Sequence, residues 1–239
     1  NSYPNSCQPS FFYKHLLSLI RDNIAILSNH NISTFTVKFL YKLLFNPPAT
    51  TSPGVERWSN IYPTISWKTL WNFVFDDFTE NRKNELQWFI LHRAVKTAQK
   101  LAEWKYLISP NCSVCGRPET ITHLFLNCNR SKSVWAWAMN ILSSLTKVSS
   151  DLRIIAFFLP FEKPKRRNIL AWFVKSVNYA VWKFRNISHF DHIHKEAIDI
   201  INFIKSDIRQ RIYMDLDRYG LDKCFDTWGL NSIFCTSDG

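Results

Sequence analysis

The chain has 239 residues and a net charge of +11; 15 % of its residues are aromatic and only five are glycine. This length supports one large domain or two small ones with a buried core. Few glycines and many long apolar side chains argue against a turn-rich all-β protein. No apolar run approaches the roughly 20 residues of a membrane-spanning helix, so we expect no membrane partner.

The start of the chain and its cysteines bear on where the protein resides. The first residue is asparagine rather than methionine, so we expect a piece of a longer protein, and no signal peptide is recognisable. Six cysteines would allow three disulfides, and four Asn-x-Ser sequences are compatible with secretion. We expect neither, because three of the cysteines belong to a metal-binding pattern and such sequences often arise by chance.

The excess positive charge is concentrated in the middle of the chain. Residues 82–185 carry eighteen lysines and arginines against five acidic residues. Residues 1–81 carry six against five, and residues 186–239 carry six against nine. A surface charged only for solubility would spread this excess evenly, so its concentration favours a polyanionic partner such as nucleic acid.

Two amphipathic helices are predicted near the start, because apolar side chains recur with three- and four-residue spacing in 10–29 and 33–45. Residues 46–60 are rich in Pro, Thr and Ser, which predicts a loop and a domain boundary. We therefore predict three regions: an N-terminal helical region with its linker over 1–60, a zinc-binding helical module over 61–147, and a C-terminal helical region over 148–239.

Three helices are predicted in the middle module. Ser66 precedes one whose apolar side chains run from Trp67 to Val74. A long helical stretch follows from Thr79 or Glu80 to about Ser109, with cations interleaved among its aromatic residues. The third helix covers 131–146, with apolar positions at three- and four-residue spacing.

The stretch between the second and third of these helices carries the pattern C-x2-C-x7-H-x4-C. Two cysteines separated by two residues hold one ion from a tight turn, and Gly116 suits such a turn because it accepts a positive φ. The sequence Pro118-Glu119-Thr120 predicts the start of a short helix. Three thiols and one imidazole form the Cys3His set typical of structural Zn²⁺, so the predicted ligands are Cys112, Cys115, His123 and Cys128.

Two other interpretations of this pattern stay open. The four side chains would also be compatible with a buried, reduced and metal-free cluster. Cys112 and Cys115 alone would be compatible with a redox pair, but that chemistry is typical of a βαβ context, which the sequence does not predict.

The C-terminal region is predicted to be helical as well. Residues 151–158 are apolar and fit either a helix or a buried strand. The densest basic run, residues 163–167, opens a helix that reaches Arg185, and the last long helix runs from Glu196 to Tyr219, where Gly220 stops it. Together the elements predict an all-α fold with an inserted Cys3His zinc knuckle.

A histidine cluster and two further cysteines lie outside this pattern. His189, His192 and His194 lie near Asp191, and this grouping favours a polar helix start over a second metal site. Cys224 and Cys235 have no metal-like spacing, so we expect ordinary thiols.

The stretch from Leu86 to Cys128 resembles the zinc-binding region that follows the reverse transcriptase in non-LTR (LINE-type) retrotransposon proteins. The similarity is strongest in Cys112-x2-Cys115-Gly116-x2-Glu119-Thr120-x2-His123-Leu124-Phe125-x2-Cys128. The later Val181-Trp182-Lys183-x-Arg185-Asn186 is similar to a Trp-x-x-Arg-Asn segment of the same proteins.

The resemblance implies a C-terminal module of a retrotransposon polyprotein that holds element RNA and target DNA while a separate palm domain copies the RNA. It also implies the reverse transcriptase domain of the same polyprotein as a partner, and an intracellular location in the nucleus and in cytoplasmic ribonucleoprotein. Val74-Phe75-Asp76-Asp77 is reminiscent of a palm metal site, but polar residues follow it and no earlier aspartate on a strand accompanies it. We therefore predict an acidic loop there, and a chain that is not itself an enzyme.

Nucleic-acid binding is predicted to be largely independent of base sequence, because lysine and arginine contacts to phosphate position without specifying. At most one of Trp88, Trp104, Trp135 and Trp137 is expected to stack on a base. The competing hypothesis is a protein-interaction domain that docks on the polymerase, with zinc purely structural. The predicted phosphate contacts are Arg82, Lys83, Arg93, Lys96, Lys100, Lys105, Arg117, Arg130, Lys163, Lys165, Arg166 and Arg167.

Overall fold

The computed structural model describes residues 53–106, 109–145, 151–159 and 167–228, together with Arg21 and Ser28. The backbone divides into two compact units between Thr51 and Ser52, and every element below belongs to the second unit. The helices predicted for 10–29 and 33–45 lie outside the described residues. The predicted region boundaries at 60 and 147 stay predictions.

The described residues form α-helices, a π-helical turn and loops, with no β-strand among them, which confirms the all-α fold. An isolated antiparallel bridge joins Asn111 to Pro118. Among the described helices, none combines the length and apolarity that crossing a bilayer requires. The elements are α1 (Pro53–Ser59), α2 (Trp67–Val74), α3 (Asn81–Leu91), α4 (Ala98–Glu103), the π turn (His123–Asn127), α5 (Asn129–Leu145), α6 (Leu152–Phe158), α7 (Arg167–Phe190), α8 (Ala197–Tyr219) and α9 (Leu221–Trp228).

Helix α7 is the centre of this unit. Residues 169–178 are all buried, the polar Lys175, Ser176 and Asn178 among them, as expected of a helix covered on every side. It packs against α3, α5, α6, α8 and the π turn. Trp172 meets Trp228 of α9 edge to face, with ring centroids 5.7 Å apart, which closes one end of the core.

The long helix predicted from residue 79 or 80 to about 109 is wrong, because the chain breaks between α3 and α4. Arg93 adopts a left-handed φ of 53°, and the Ala94 amide donates to the Phe89 carbonyl at 2.8 Å. The Thr97 side chain then caps α4 by accepting from the Lys100 amide.

Helix α1 supplies the tertiary reason for this break. The indole of Trp58 donates to the Leu91 carbonyl at 2.8 Å, which satisfies one of the acceptors that a helix leaves free at its end. Gly54 also lies against the end of α3, and a Cβ there would be 2.9 Å from the same carbonyl oxygen.

The short segment after residue 150 is a helix rather than a strand. Asp151 caps α6 by accepting from the Arg153 amide at 2.8 Å. The Gln87 side chain of α3 donates to the Phe157 carbonyl at 2.7 Å, so the last turn of this buried helix has a side-chain partner. The predicted end of α8 is confirmed, since Gly220 follows Tyr219 with a φ of 76°.

Candidate metal centre

The structure brings the four predicted zinc ligands together. One ligand atom from each of Cys112, Cys115, His123 and Cys128 lies within 4.8 Å of the other three, in the part of the chain that the structure describes. The sulfurs of Cys112 and Cys128 are 4.0 Å apart, and the Cys115 sulfur is 3.2 Å from His123 Nε2. Three of the four side chains are buried and that of Cys115 is half-buried.

These separations fit a tetrahedral zinc site. With Zn–S near 2.3 Å and Zn–N near 2.0–2.1 Å, a tetrahedron puts two sulfurs about 3.8 Å apart and a sulfur and a nitrogen about 3.6 Å apart. The two separations given above fall within about 0.4 Å of those values, and all four ligand atoms lie within 4.8 Å of one another. The donor set of three sulfurs and one imidazole nitrogen is that of structural zinc, and His123 would use its Nε2 atom.

A tight turn positions the first two ligands. The Gly116 amide donates to the Cys112 carbonyl at 2.9 Å, and Gly116 has a φ of 71°, as its predicted role requires. The Cys112 amide donates to the Arg117 carbonyl at 2.8 Å, which closes the loop behind the turn. Both sulfurs are therefore presented from one short segment.

The π turn positions the other two ligands. The Cys128 amide donates to the His123 carbonyl at 2.8 Å, a bond that spans five residues instead of the four of an α-helix. Thr120 caps the start of this segment, since its Oγ1 accepts from the His123 amide at 3.0 Å. Cys128 lies just beyond the end of the turn.

The helix start predicted at Pro118-Glu119-Thr120 is wrong in its first two residues. Pro118 pairs with Asn111, and the segment becomes helical only at Ile121. Glu119 points into the interior, where its side chain is fully buried and accepts from the Ala98 amide at 2.7 Å. A buried carboxylate needs partners, and it finds them outside the metal loop.

Arg185 of α7 is that partner. Its Nε donates to both carboxylate oxygens of Glu119, at 2.9 and 3.1 Å, and its Nη2 donates to one of them as well. Arg185 is 2 % exposed, so this is an interior ion pair. Sequence reasoning missed the pairing, although both residues lie in the two segments that carry the family resemblance.

The thiols of Cys112 and Cys128 share one hydrogen bond, which shifts their acidities in opposite directions. That bond, together with burial, raises the pKa of Cys112 to about 12. The same bond lowers the pKa of Cys128 to about 7. A divalent cation held by these thiols would displace this shared proton, because a coordinating thiol is deprotonated outright.

The predicted cations differ in their placement. Five of them are exposed: Arg82, Arg93, Lys96, Lys105 and Arg117; Lys100 is half-buried. Arg117 donates to the Asn127 carbonyl and the Asn129 side chain, both at 3.3 Å. The basic run Lys163, Lys165, Arg166 and Arg167 lies outside the residues whose side chains are described.

Lys83 and Arg130 are committed to contacts inside the protein. Lys83 is 1 % exposed, pairs with Asp207 at 2.7 Å and with Glu80 at 3.0 Å, and lies over the Trp172 ring. The structure therefore corrects its expected phosphate contact, because burial between two carboxylates removes its amino group from the surface. Arg130 donates to Ser188 Oγ at 2.8 Å and to the Lys195 carbonyl at 3.1 Å, and burial lowers its pKa.

Asp76 and the histidine cluster carry no described metal site. Asp76 accepts from the Thr79 amide at 2.7 Å and forms an ion pair with Lys175, whose side chain is fully buried. His189 lies in the last turn of α7, and His192 and His194 lie in the loop before α8. Among the described residues, the Cys3His group is the one cluster of three or more potential ligands.

Comparison with known families agrees with the site. Residues 35–135 match the family model described as zinc-binding in reverse transcriptase, which confirms the resemblance to a zinc-binding region associated with reverse transcriptases. The match includes all four ligand residues. No curated protein and no solved structure gives a significant match to the chain.

Proposed function

We propose that this chain, whose residues 35–135 match the zinc-binding region of reverse transcriptases, is a non-catalytic module of a non-LTR retrotransposon reverse transcriptase. It binds element RNA and target DNA, largely without regard to base sequence, during target-primed reverse transcription. The Cys3His cluster is the observation that carries the proposal, because its donor set and spacing are those of structural zinc.

Zinc has a structural role in this proposal. Cys112 and Cys115 hold it from the loop, and His123 and Cys128 hold it from the π turn, so the ion cross-links the two segments. Such sites contribute folding free energy directly, and the loop in turn presents Arg117 at the surface.

The arrangement around Asp76 supports a non-catalytic role. Its carboxylate is engaged by Lys175 and Thr79, and the neighbouring Asp77 is exposed in the same loop. A carboxylate neutralised by a buried lysine is poorly suited to hold magnesium for phosphoryl transfer. Polymerase activity therefore belongs to another part of the parent protein.

The concentration of positive charge over residues 82–185 supports nucleic acid as the partner. An alternative is docking on the polymerase domain, and one observation favours it. Phe190, Ile193 and Ile198 are each 50 % exposed or more, within nine residues at the connection between α7 and α8. Exposed apolar side chains of this kind mark protein contacts when they form a continuous patch.

The test is binding of the full chain, zinc-loaded and zinc-stripped, to labelled RNA and DNA over a range of salt concentrations. We expect log-linear weakening with salt, with a slope of about −0.9 per neutralised phosphate on duplex DNA and about −0.7 on single strands. Sequences of different base composition should bind about equally. A zinc-loaded chain that binds no nucleic acid even at low salt would contradict the proposal and favour docking.

A further inference from the structure

We propose that the surface formed by α1, the loop after α3, and α4 binds a single-stranded nucleic acid. A phosphate occupies a basic cleft on this surface, and a neighbouring base stacks on Trp104. The inference deepens the proposed function and rests on it.

The cleft has a volume of about 280 Å³ and lies beside the metal loop. Its cationic side chains come from three elements: Arg57 from α1, Arg93 from the loop after α3, and Lys100 from α4. The volume is just below the roughly 300–1,000 Å³ of small-molecule sites, which fits one nucleotide of a longer strand better than a whole cofactor. Thr97 and Thr120 add hydroxyl groups to its wall.

The two arginines of the cleft are available to a phosphate. Both are exposed, and in the described part of the chain no carboxylate lies within 4 Å of either guanidinium. Arginine presents a planar fork that binds phosphate oxygens in pairs. Lys100 is paired with Glu103 at 3.4 Å, but both side chains are about half exposed, so this ion pair is weak and exchangeable.

Trp104 is the tryptophan that the structure leaves free to stack. Trp135 is fully buried, Trp88 contacts the rings of Phe89 and His92, and Trp137 packs against Phe173. Trp104, in contrast, is 46 % exposed at the end of α4. Of the four tryptophans considered for stacking on a base, Trp104 is therefore the one that remains.

Lys100 connects the ring to the cleft. Its Nζ lies 5.7 Å from the centroid of the Trp104 ring, and the same residue lines the cleft. A strand whose phosphate sits among Arg57, Arg93 and Lys100 therefore has an aromatic surface within one nucleotide of it. Bases stack on such rings only when they are unpaired, which selects single strands over duplex.

The cleft also shares its wall with the metal centre. Thr120 and Ile121 line it, and Thr120 accepts a hydrogen bond from the amide of the ligand His123 at 3.0 Å. Loss of the metal would loosen this wall. Zinc binding therefore supports nucleic-acid affinity by holding this wall of the cleft in place.

The experiment measures binding of the zinc-loaded 239-residue chain and its variants to fluorescent single-stranded DNA, single-stranded RNA and duplex DNA. Trp104→Ala tests stacking, and Tyr213→Ala, which removes another exposed ring from α8, is its control. The double variant R57Q/R93Q tests the cleft. R209Q/K205Q removes the same charge from exposed positions of α8 and is its control.

We expect Trp104→Ala to weaken binding of both single strands by about 5- to 150-fold, as for a stacked base, and to leave duplex binding nearly unchanged. R57Q/R93Q should reduce the magnitude of the salt slope on single strands by about 0.7, the value for the one phosphate held in the cleft. Comparing single-stranded RNA with single-stranded DNA shows which of the two the wild type prefers. All variants should retain the zinc content and helical circular dichroism of the wild type.

Two results overturn the inference. If the wild type binds single strands and both test variants behave like their controls, this surface is not the binding site, although the proposed function stands. If the wild type binds no nucleic acid, the inference fails together with the proposed function. If Trp104→Ala loses zinc or helicity, the result for R57Q/R93Q decides, because the substitutions in that variant lie at exposed side chains.

Discussion

Arg185 holds the carboxylate of Glu119 through Nε and Nη2, across 66 residues of sequence. Glu119 lies in the metal loop between Cys115 and His123, and Arg185 lies on the central helix α7. The loop is therefore fixed to the core by an ion pair as well as by its own turns. Glu119 also accepts from the Ala98 amide, so the same carboxylate orients the start of α4.

Replacing Arg185 with methionine should destabilise the protein strongly. The substitution leaves Glu119 buried without its counter-charge, and breaking a buried pair from one side costs about 3–5 kcal/mol. Urea unfolding followed by circular dichroism measures this loss. Arg209→Met, at an exposed position of α8, is the control and should change the free energy of unfolding by no more than about 0.5 kcal/mol.

A double variant separates loss of the pair from loss of packing. In E119Q/R185M the glutamine still accepts from the Ala98 amide but carries no charge, so we expect it to be more stable than R185M alone. Wild-type stability in R185M would show that the ion pair is not a support of the metal loop.

Replacing Cys115 with serine should reduce the zinc content below one ion per chain. The half-buried Cys115 sulfur is one of the four donors, and zinc binding contributes roughly 10–16 kcal/mol apparent in zinc-finger peptides at neutral pH. Elemental analysis measures the zinc, and hydrogen exchange of residues 109–130 measures the loosening. An unchanged zinc content in Cys115→Ser would show that the zinc site lies elsewhere.

Cys224→Ala is the matched control for that measurement. Cys224 is buried in α9 and does not belong to the Cys3His group. Its loss should lower stability modestly, as for a small cavity, while zinc content stays at one per chain.

Asp76 and Asp77 should respond very differently to alanine. Asp76→Ala leaves the buried Lys175 without its carboxylate, so we expect a loss of about 3–5 kcal/mol of stability. Asp77 is exposed, and Asp77→Ala should remain within about 0.5 kcal/mol of the wild type. Template-directed synthesis by the purified chain, abolished in these variants, would contradict the non-catalytic assignment.

The contribution of Glu80 should disappear in acid. Burial alone would raise its pKa, but the charge and hydrogen bond of Lys83 outweigh burial and lower the pKa below its ordinary 4.5. A group with a lowered folded-state pKa stabilises above the unfolded value and loses that contribution as the pH falls through the folded one. The advantage of the wild type over Glu80→Gln should therefore be full at pH 7 and shrink below about pH 4.5.

Urea unfolding at several pH values measures that difference. Glu85→Gln, at an exposed position of α3, the helix that Glu80 directly precedes, is the control and should follow the wild type throughout. An advantage that stayed constant into strong acid would show that the contact of Glu80 with Trp172, and not its charge, is what stabilises.

The sequence predicted the features that depend on local spacing. The four ligands lie within seventeen residues, so their grouping follows from one turn and one short helix. The apolar positions of α2, α5 and α8 follow helical periodicity, and their buried faces agree with it.

Features that depend on distant partners were missed. The end of α3 is fixed by Trp58, 33 residues earlier, and no glycine or proline marks the break. Lys83 looks like a surface cation until Asp207, 124 residues away, is seen beside it. Glu119 looks like part of a helix start until its buried partner Arg185, 66 residues away, is seen beside it. In each case the local sequence favours an exposed or continuous element, and tertiary contacts override it.

The π turn has a consequence for how the motif can vary in length. Each residue advances a helix by about 100°, so deleting one residue from 124–127 would swing the Cys128 sulfur roughly a quarter turn away from its partners. The exposed residues 116–118 lie in a loop, where insertions are tolerated far better. A search for related chains should therefore hold the four-residue spacing fixed and let the seven-residue spacing vary.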